Sequence, residues 1–567
     1  MRQMGSRRLL YACFAVAVCA LLSHWFFHAD ILYRENTVFH LNRLMAIACG
    51  LAAGDFPVYV HGFQVQGYGT LDGSLYPDLL LYLPAVLVDL GVPLTVAWNM
   101  HWVFLACLGI CAAWRGYVLL TGRTFLGLLA ALLFSSCYGI LMFLGSSAGG
   151  YEAGFFLPYA VGALFAVLRR ADGARRWPEL VLAVFVIAAS HVISTVLCAA
   201  FLTAGLLLWR SGLADAARRR ALLFAAGASL ALLLYRLVPF IYFYRRVDFQ
   251  MRHAVTPSLG TLTSPLSDLV AAQLWWGWPL LVLLCLALFS RAFRRRRAFL
   301  VTAALAVLLA AMNWSGFPWQ AIERLPLLGR ALPLFQFAFR FLPLGLVPLA
   351  YFLARYLAAA VRHLGARLPR GGAQFCGSRG LSLLLALLCV AYGMHAVTRS
   401  DFMIGMLHVK WQEAYVHFDG QSLLAANVTL SPNYAYVGID PVQLFASDAV
   451  PRPNEVRALT GSLAVSSFQK IGTRLSFSYA SEGGAEVQVP LFAYPGYEAR
   501  VDGTAIAVHE SAHHVLTLSL PAGEHTVFVR YRGLWSFRVS VWISLLSMVL
   551  FCYAAWYQWR SRRGSRA

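Results

Sequence analysis

Long apolar runs recur along almost the whole chain, and they constrain its fold more than any other feature. Several approach the roughly 20 residues that an α-helix needs to cross a bilayer. The composition agrees, because 60% of the 567 residues are hydrophobic and only 13% are charged. These values exclude an ordinary soluble enzyme, a disordered chain and a collagen-like fibre. The sequence therefore predicts a polytopic α-helical membrane protein with roughly 12 spans. The runs lie near 9–27, 93–113, 124–145, 153–168, 178–190, 193–209, 221–244, 273–290, 298–312, 341–361, 381–397 and 536–558.

The distribution of arginine predicts the orientation of these spans. The formal net charge is +21, and basic residues of membrane proteins collect in cytoplasmic loops. With the N-terminus inside, every second loop is rich in arginine, and so is the C-terminal tail. This pattern holds only if the stretch 77–91 does not cross, so we predict an interfacial helix there, on the outer face. The first run lacks a small-residue cleavage site, and we expect it to be retained with both termini in the cytoplasm.

Two predicted outer segments are large enough to carry function. The first, 28–92, is rich in aromatic residues and glycine, and its residues 38–48 suit a helix lying along the membrane. The second, 398–535, shows strand-like alternation with intervening turn signals from about 460 onwards. Short strands at this spacing predict an antiparallel β-sandwich. The predicted domains are a transmembrane domain 1–397, an extracytoplasmic domain 398–535, and a last span with a basic tail, 536–567.

The first outer segment supplies side chains suited to chemistry on a lipid-linked substrate. A lipid phosphate needs cationic partners, and a sugar acceptor needs a carboxylate to take its proton. Asp30 directly follows the first helix and Glu35 lies one or two turns further on, so both are candidate bases. Arg34 and Arg43 are candidate phosphate ligands. The alternative interpretation is that these residues are solvated charges at a helix end.

A glycine- and tyrosine-rich stretch, 67–78, is a candidate substrate-contacting loop. Glycine permits close approach of a backbone, and tyrosine rings stack on sugars. We therefore predict that Tyr68, Asp72 and Tyr76 contact the substrate, together with His40 earlier in the same segment. The alternative is a plain turn before the interfacial helix.

Ionisable and polar side chains near predicted spans are further candidates, because such groups are costly in a membrane. Glu152 opens a helix, and His191 separates two short apolar runs. Arg340 lies among aromatic residues at the outer end of a span, close to Gln336, and its planar guanidinium suits phosphate. Each has a structural alternative: Glu152 complements a helix N-terminus, His191 packs in the interior, and Arg340 snorkels to the interface.

A set of short motifs occurs in a fixed order along nearly the whole chain. The motifs are 39–43, 54–57, 67–69, 76–79, 81–84, 150–152, 156–158, 190–191, 335–341, 494–497, 501–503 and 520–525. Taken together and in order, they resemble YfhO-like bacterial membrane proteins. The resemblance implies the GT-C fold and a glycosyltransferase that uses a polyprenyl-phosphate sugar. Such enzymes place an acidic residue in the first outer loop as a base or metal ligand. This chain departs from the family pattern, because Asn36 stands where the family usually has an aspartate four residues before the loop histidine.

The resulting hypothesis is a glycosyltransferase of the bacterial inner membrane with its site on the outer face. It would transfer a sugar from a polyprenyl-phosphate donor to an envelope glycan, lipid or protein. Asp30 or Glu35 would take the acceptor proton, while Arg340, with Arg34 or Arg43, would hold the donor phosphate. Membrane lipids are expected partners and nucleic acid is not, and acidic pairs permit a divalent cation without requiring one.

Two other functions stay open. A catalytically inactive glycan-binding scaffold is favoured by Asn36, because an amide cannot act as a base. A transporter or flippase of lipid-linked glycans is disfavoured by the scarcity of charges deep within the spans.

Overall fold

The computed structural model describes residues 2–33, 36–142, 144–145, 148–250, 258–366, 377–399, 414–416, 435–436 and 449–564. Their α-helices are α1 (Arg2–Ser23), α2 (Thr37–Ala52), α3 (Asp72–Leu75), α4 (Tyr82–Asp89), α5 (Leu94–Thr121), α6 (Thr124–Ser135), α7 (Tyr138–Leu141), α8 (Ala148–Arg169), α9 (Trp177–Ser190), α10 (Val192–Leu208), α11 (Ala216–Arg246), α12 (Leu266–Ala271), α13 (Trp278–Phe289), α14 (Arg291–Arg294), α15 (Arg297–Ala311), α16 (Trp319–Glu323), α17 (Leu328–Ala331), α18 (Leu342–Gly365), α19 (Gly377–Arg399) and α20 (Trp535–Gly564).

Six helices in the described part of the chain are long and apolar enough to cross a membrane. They confirm a multi-pass helical membrane protein. The number of roughly 12 spans stays a prediction, because several of the expected runs form helices of only 10–17 residues, shorter than a full span. The six are Arg8–Phe26, Leu94–Thr121, Ala216–Arg246, Ala338–Leu364, Ser378–Thr398 and Trp535–Gln558.

Glycine sets the close packing of α5 against α8. A β-carbon on Gly116 would lie 2.3 Å from the carbonyl oxygen of Pro158, and one on Gly162 would lie 2.2 Å from that of Gly116. No side chain fits at either position, so the two backbones approach directly, as small residues allow between membrane helices.

The 28–92 segment folds largely inside the protein. The helix predicted at 38–48 forms as α2, but most of its residues are buried, so protein surrounds it instead of an open membrane surface. The predicted helix at 77–91 forms as the short α4, and Leu83 and Leu90 near it are exposed apolar side chains. Its interfacial placement stays a prediction.

The C-terminal strands form two antiparallel sheets that share one hydrophobic core. Their strand orders are β3-β6-β10-β9 and β4-β5-β11-β7-β8. Alternation along β5, where Leu475, Phe477 and Tyr479 are buried, confirms the predicted sheet region; the domain limits at 398 and 535 stay predictions. The strands are β1 (Ile31–Tyr33), β2 (Ala414–Val416), β3 (Arg457–Thr460), β4 (Ala464–Ile471), β5 (Arg474–Ser481), β6 (Ala485–Phe492), β7 (Tyr497–Val501), β8 (Thr504–Ile506), β9 (Val508–Glu510), β10 (Val515–Leu520) and β11 (Gly523–Tyr531).

The 28–92 segment contacts the C-terminal part of the chain at two places. Strand β1 pairs with β2 in a separate two-stranded sheet, with Leu32 opposite Tyr415. Further on, the hydroxyl of Tyr68 donates to the carbonyl of Pro451, and the amide of Phe492 donates to the carbonyl of Tyr68 at 3.0 Å. The sandwich therefore rests on the segment that carries most of the predicted site residues.

Replacing Gly62 with valine should loosen this junction. A β-carbon there would lie 2.6 Å from both the carbonyl carbon of Gly472 and the amide nitrogen of Thr473. Because backbone must move, we expect a loss of about 1–3 kcal/mol of stability and faster proteolysis between the sandwich and the helices. Gly483→Val is the matched control, since its β-carbon position has no described atom within 4 Å. Equal unfolding temperatures for the two variants would contradict the contact.

Candidate functional site

Five of the predicted site residues, distant in sequence, converge at one place. The guanidinium carbon of Arg43 lies 4.3 Å from the ring centroid of Tyr76, and the Tyr76 ring lies 6.2 Å from the imidazole of His191. Arg43 also donates from Nη1 to Nδ1 of His40 at 3.3 Å. Arg340 interacts electrostatically with both Tyr76 and His191. We refer to these five residues as the cationic cluster.

Helix α2 positions the first two members of the cluster. His40 and Arg43 are three residues apart, so they share one face of the helix. Arg43 is only 1% exposed, and its Nη2 donates to the carbonyls of Pro77 at 2.6 Å and Tyr76 at 3.4 Å. Arg43 thus fixes the Tyr76–Pro77 backbone while its charge stays beside the Tyr76 ring.

Arg340 is held by a strained turn just before α18. Its Nη1 donates to the carbonyl of Phe335 and to Oε1 of Gln336, both at 2.9 Å. Gln336 has a φ of 63°, a left-handed conformation that non-glycine residues rarely adopt. Within the described residues both hydrogen bonds run from Nη1, so Nη2 and Nε stay available to a ligand. Gln336, predicted as a substrate contact, positions Arg340 here.

His191 caps the N-terminus of α10. The backbone amide of Ser194 donates to its Nδ1 at 3.3 Å, and the Ser194 hydroxyl lies 2.8 Å from the same atom. Because Nδ1 accepts from the amide, a neutral His191 carries its hydrogen on Nε2. That nitrogen can therefore donate to an anion in the cluster. This cap explains why His191 separates the two short apolar runs, which form α9 and α10.

A buried acidic network supports the cluster from the side of Pro77. Asp78 places Oδ1 3.6 Å from Nη1 of Arg236 and Oδ2 4.0 Å from Nε2 of His61. Arg236 also donates to the carbonyl of Gly73 at 3.3 Å. Burial raises the pKa of Asp78 to about 6, although Arg236 and Arg43 oppose the shift. Burial also lowers the pKa of His61 well below its usual value, so His61 is neutral.

Sequence reasoning missed this network and a neighbouring histidine. Asp78 and Arg236 are not among the predicted site residues. His101 of α5 is buried, interacts electrostatically with His40, and has no described hydrogen-bond partner at either ring nitrogen. The available signal was an ionisable residue in the middle of an apolar run.

Two predicted substrate contacts lie outside the cluster. Asp72 is buried and accepts a hydrogen bond from Thr70, and burial raises its pKa to about 6. Tyr68 lies under the sandwich, where Nζ of Lys470 is 5.5 Å from its ring centroid. Both residues shape the loop between the cluster and the sandwich.

The remaining predicted residues have less structural description. Asp30 is half-buried, and its carbonyl accepts from Nδ2 of Asn99 at 3.1 Å, which ties the start of the segment to α5. Arg34 and Glu35 lie outside the described residues. Glu152 lies near the start of α8, but the structure does not describe its side chain. The roles of these four residues stay predictions.

The sequence permits a divalent cation, and its binding requires a group of suitable ligands. Within the part of the chain that the structure describes, no group of three or more His, Cys, Asp or Glu side chains is arranged to hold a metal ion. The divalent cation that the acidic pairs permit stays a prediction, because Glu35 lies outside the described residues.

No family model matches the sequence, and no curated protein matches it significantly. Among solved structures, arabinofuranosyltransferase AftD from mycobacteria is similar with a TM-score of 0.42 and 17% identity, over 69% of this chain and 27% of that chain. Archaeal oligosaccharyltransferase AglB from Archaeoglobus fulgidus, in complex with an inhibitory peptide and a dolichol-phosphate, is similar with a TM-score of 0.41 and 12% identity. The match covers 75% of this chain and 59% of that chain.

ArnT from Cupriavidus metallidurans, bound to undecaprenyl phosphate, is similar with a TM-score of 0.37 and 13% identity, over 70% of this chain and 78% of that chain. This chain thus spans about a quarter of AftD and somewhat over half of AglB.

Proposed function

We propose that the protein is a membrane glycosyltransferase whose cationic cluster binds the phosphate of a polyprenyl-phosphate sugar on the outer face. The sugar then passes to an envelope glycan, lipid or protein acceptor. One observation carries the proposal: Arg43, Arg340 and His191 meet around Tyr76. These residues come from three of the stretches that carry the YfhO-like resemblance.

The cluster suits the phosphate end of the donor. Arg43 and Arg340 contribute two positive charges, and the described side chains that contact their guanidiniums include no carboxylate. Nη2 and Nε of Arg340, with Nε2 of His191, offer hydrogen-bond donors that are fixed before the ligand arrives. Such preorganised donors stabilise the charge that develops on a leaving group.

The base that activates the acceptor is proposed among the acids flanking β1. Asp30 or Glu35 takes the proton from the acceptor hydroxyl, and the oxygen attacks the anomeric carbon. The bond between that carbon and the phosphate oxygen breaks, and the phosphate leaves with its negative charge beside Arg340. The family resemblance implies inversion at that carbon.

Removing the base should abolish most transfer. Membranes containing the full chain are incubated with labelled polyprenyl-phosphate sugars, and label is followed into envelope material. We expect Glu35→Gln or Asp30→Asn to slow transfer by about 10²–10⁴-fold, the usual contribution of a general base. Asp89→Asn, an exposed acid at the end of α4, is the matched control.

Normal transfer by both base variants would refute this assignment. Binding of the lipid phosphate without any transfer, in the wild type as well, would instead support the inactive scaffold that Asn36 favours.

A further inference from the structure

A second basic site lies at the other end of α18. Arg340 lies just before this helix, and Arg362 lies in its last turn. The two arginines are 22 residues apart, which at a rise of 1.5 Å per residue corresponds to about 33 Å along the helix axis. Around that distant end is a pocket of about 290 Å³, lined by four arginines. They are Arg123, Arg296, Arg355 and Arg362.

Three of the four arginines contact neutral groups. Arg355 donates from Nη1 to the hydroxyl of Tyr351 at 2.8 Å, and Arg362 donates from Nε to the carbonyl of Ala358 at 3.0 Å. The guanidinium of Arg296 lies 5.1 Å from the ring centroid of Phe293. Each contact fixes one edge of a guanidinium without neutralising its charge.

No carboxylate is available from the chain segments that build the pocket. These segments are 90–151, 269–322 and 324–400, and their sequences contain no aspartate or glutamate at all. The described lining likewise contains no acidic residue. Four like charges around a small volume repel one another, and an anion bound among them would relieve the repulsion.

We propose that this pocket binds a phosphate-bearing anion, supplied either as the headgroup of an anionic lipid or as free phosphate. Guanidinium groups bind phosphate bidentately, and the volume is close to the lower limit of small-ligand sites. The pocket also presents Leu126, Phe293 and Ala359 beside the arginines, an apolar wall suited to lipid. The arginine pattern predicts that this end of α18 is cytoplasmic, where basic pockets between helices hold anionic lipid headgroups.

The test measures anion binding to the purified full chain. Wild type and the double variant Arg355→Gln/Arg362→Gln are placed in nanodiscs of phosphatidylcholine with or without phosphatidylglycerol, and bound lipid is counted by native mass spectrometry. A parallel arm titrates inorganic phosphate in detergent. We expect the double variant to weaken binding by about 10- to 100-fold, as for loss of charge-assisted hydrogen bonds.

The controls separate binding from folding. Arg220→Gln removes an exposed arginine elsewhere and should bind as wild type does, while Arg355→Lys/Arg362→Lys keeps the charge and should retain part of the binding. Selective retention of phosphatidylglycerol identifies a lipid headgroup, and saturable binding of inorganic phosphate identifies a free-phosphate site. Equal binding by wild type and the folded glutamine variant in both arms would overturn the proposal.

Discussion

Replacing Arg340 with glutamine should reduce sugar transfer by about 100- to 1,000-fold, the cost of removing one preorganised donor to a developing charge. The residue brings a positive charge that interacts electrostatically with both Tyr76 and His191. Its Nη1 donates to Phe335 and Gln336, so we expect the leaving phosphate to bind at the other guanidinium nitrogens. The measurement is the initial rate of label transfer from a polyprenyl-phosphate sugar.

Two companion variants sharpen this prediction. Arg340→Lys keeps the charge but loses the planar fork, so its rate should fall between those of wild type and the glutamine variant. Arg324→Gln removes an exposed arginine from the same connecting segment and should leave the rate unchanged. A wild-type rate for Arg340→Gln would remove Arg340 from the mechanism.

Replacing Arg236 with methionine should destabilise the protein by about 3–5 kcal/mol, because it leaves a buried carboxylate without its partner. Asp78 is 5% exposed and Arg236 is 7% exposed. Removing both charges, as Asp78→Asn/Arg236→Met, should cost less than the sum of the single variants. Thermal unfolding in detergent measures all three, and Arg245→Met, at the exposed end of the same helix, is the control.

The pH dependence follows from the raised pKa of Asp78. Its folded pKa of about 6 lies above the usual carboxyl pKa of 3.8, so its contribution to stability is fully present below about pH 4 and is lost as pH rises through 6. The cost of Arg236→Met should therefore be larger at pH 8, where Asp78 is charged, than at pH 5. A cost independent of pH, or fully additive single variants, would contradict the ion pair.

Local patterns were enough to predict the elements. The alternation at Leu475 to Tyr479 and the apolar run that becomes α18 follow from side-chain periodicity, which is a property of neighbouring residues. The number of spans could not be predicted as well, because an apolar run reveals burial but does not distinguish a short buried helix from a full crossing.

The site was predictable only in part. Arg340 and His191 were identified because ionisable residues are rare in apolar surroundings, whereas Arg43 and His40 were identified as polar side chains of the first outer segment. The convergence of these residues could not be predicted, because His40 and His191 are brought together by tertiary packing that leaves no local pattern in the sequence. The pair of Asp78 and Arg236 was missed for the same reason: its partners lie in a loop and in a distant helix.

A cryo-EM structure of the full chain with an added polyprenyl phosphate would show directly whether the cationic cluster binds phosphate. We expect phosphate density within hydrogen-bond distance of Arg340 and His191, with the lipid tail leading into the membrane. Phosphate density at another place, with the cationic cluster unchanged, would contradict it.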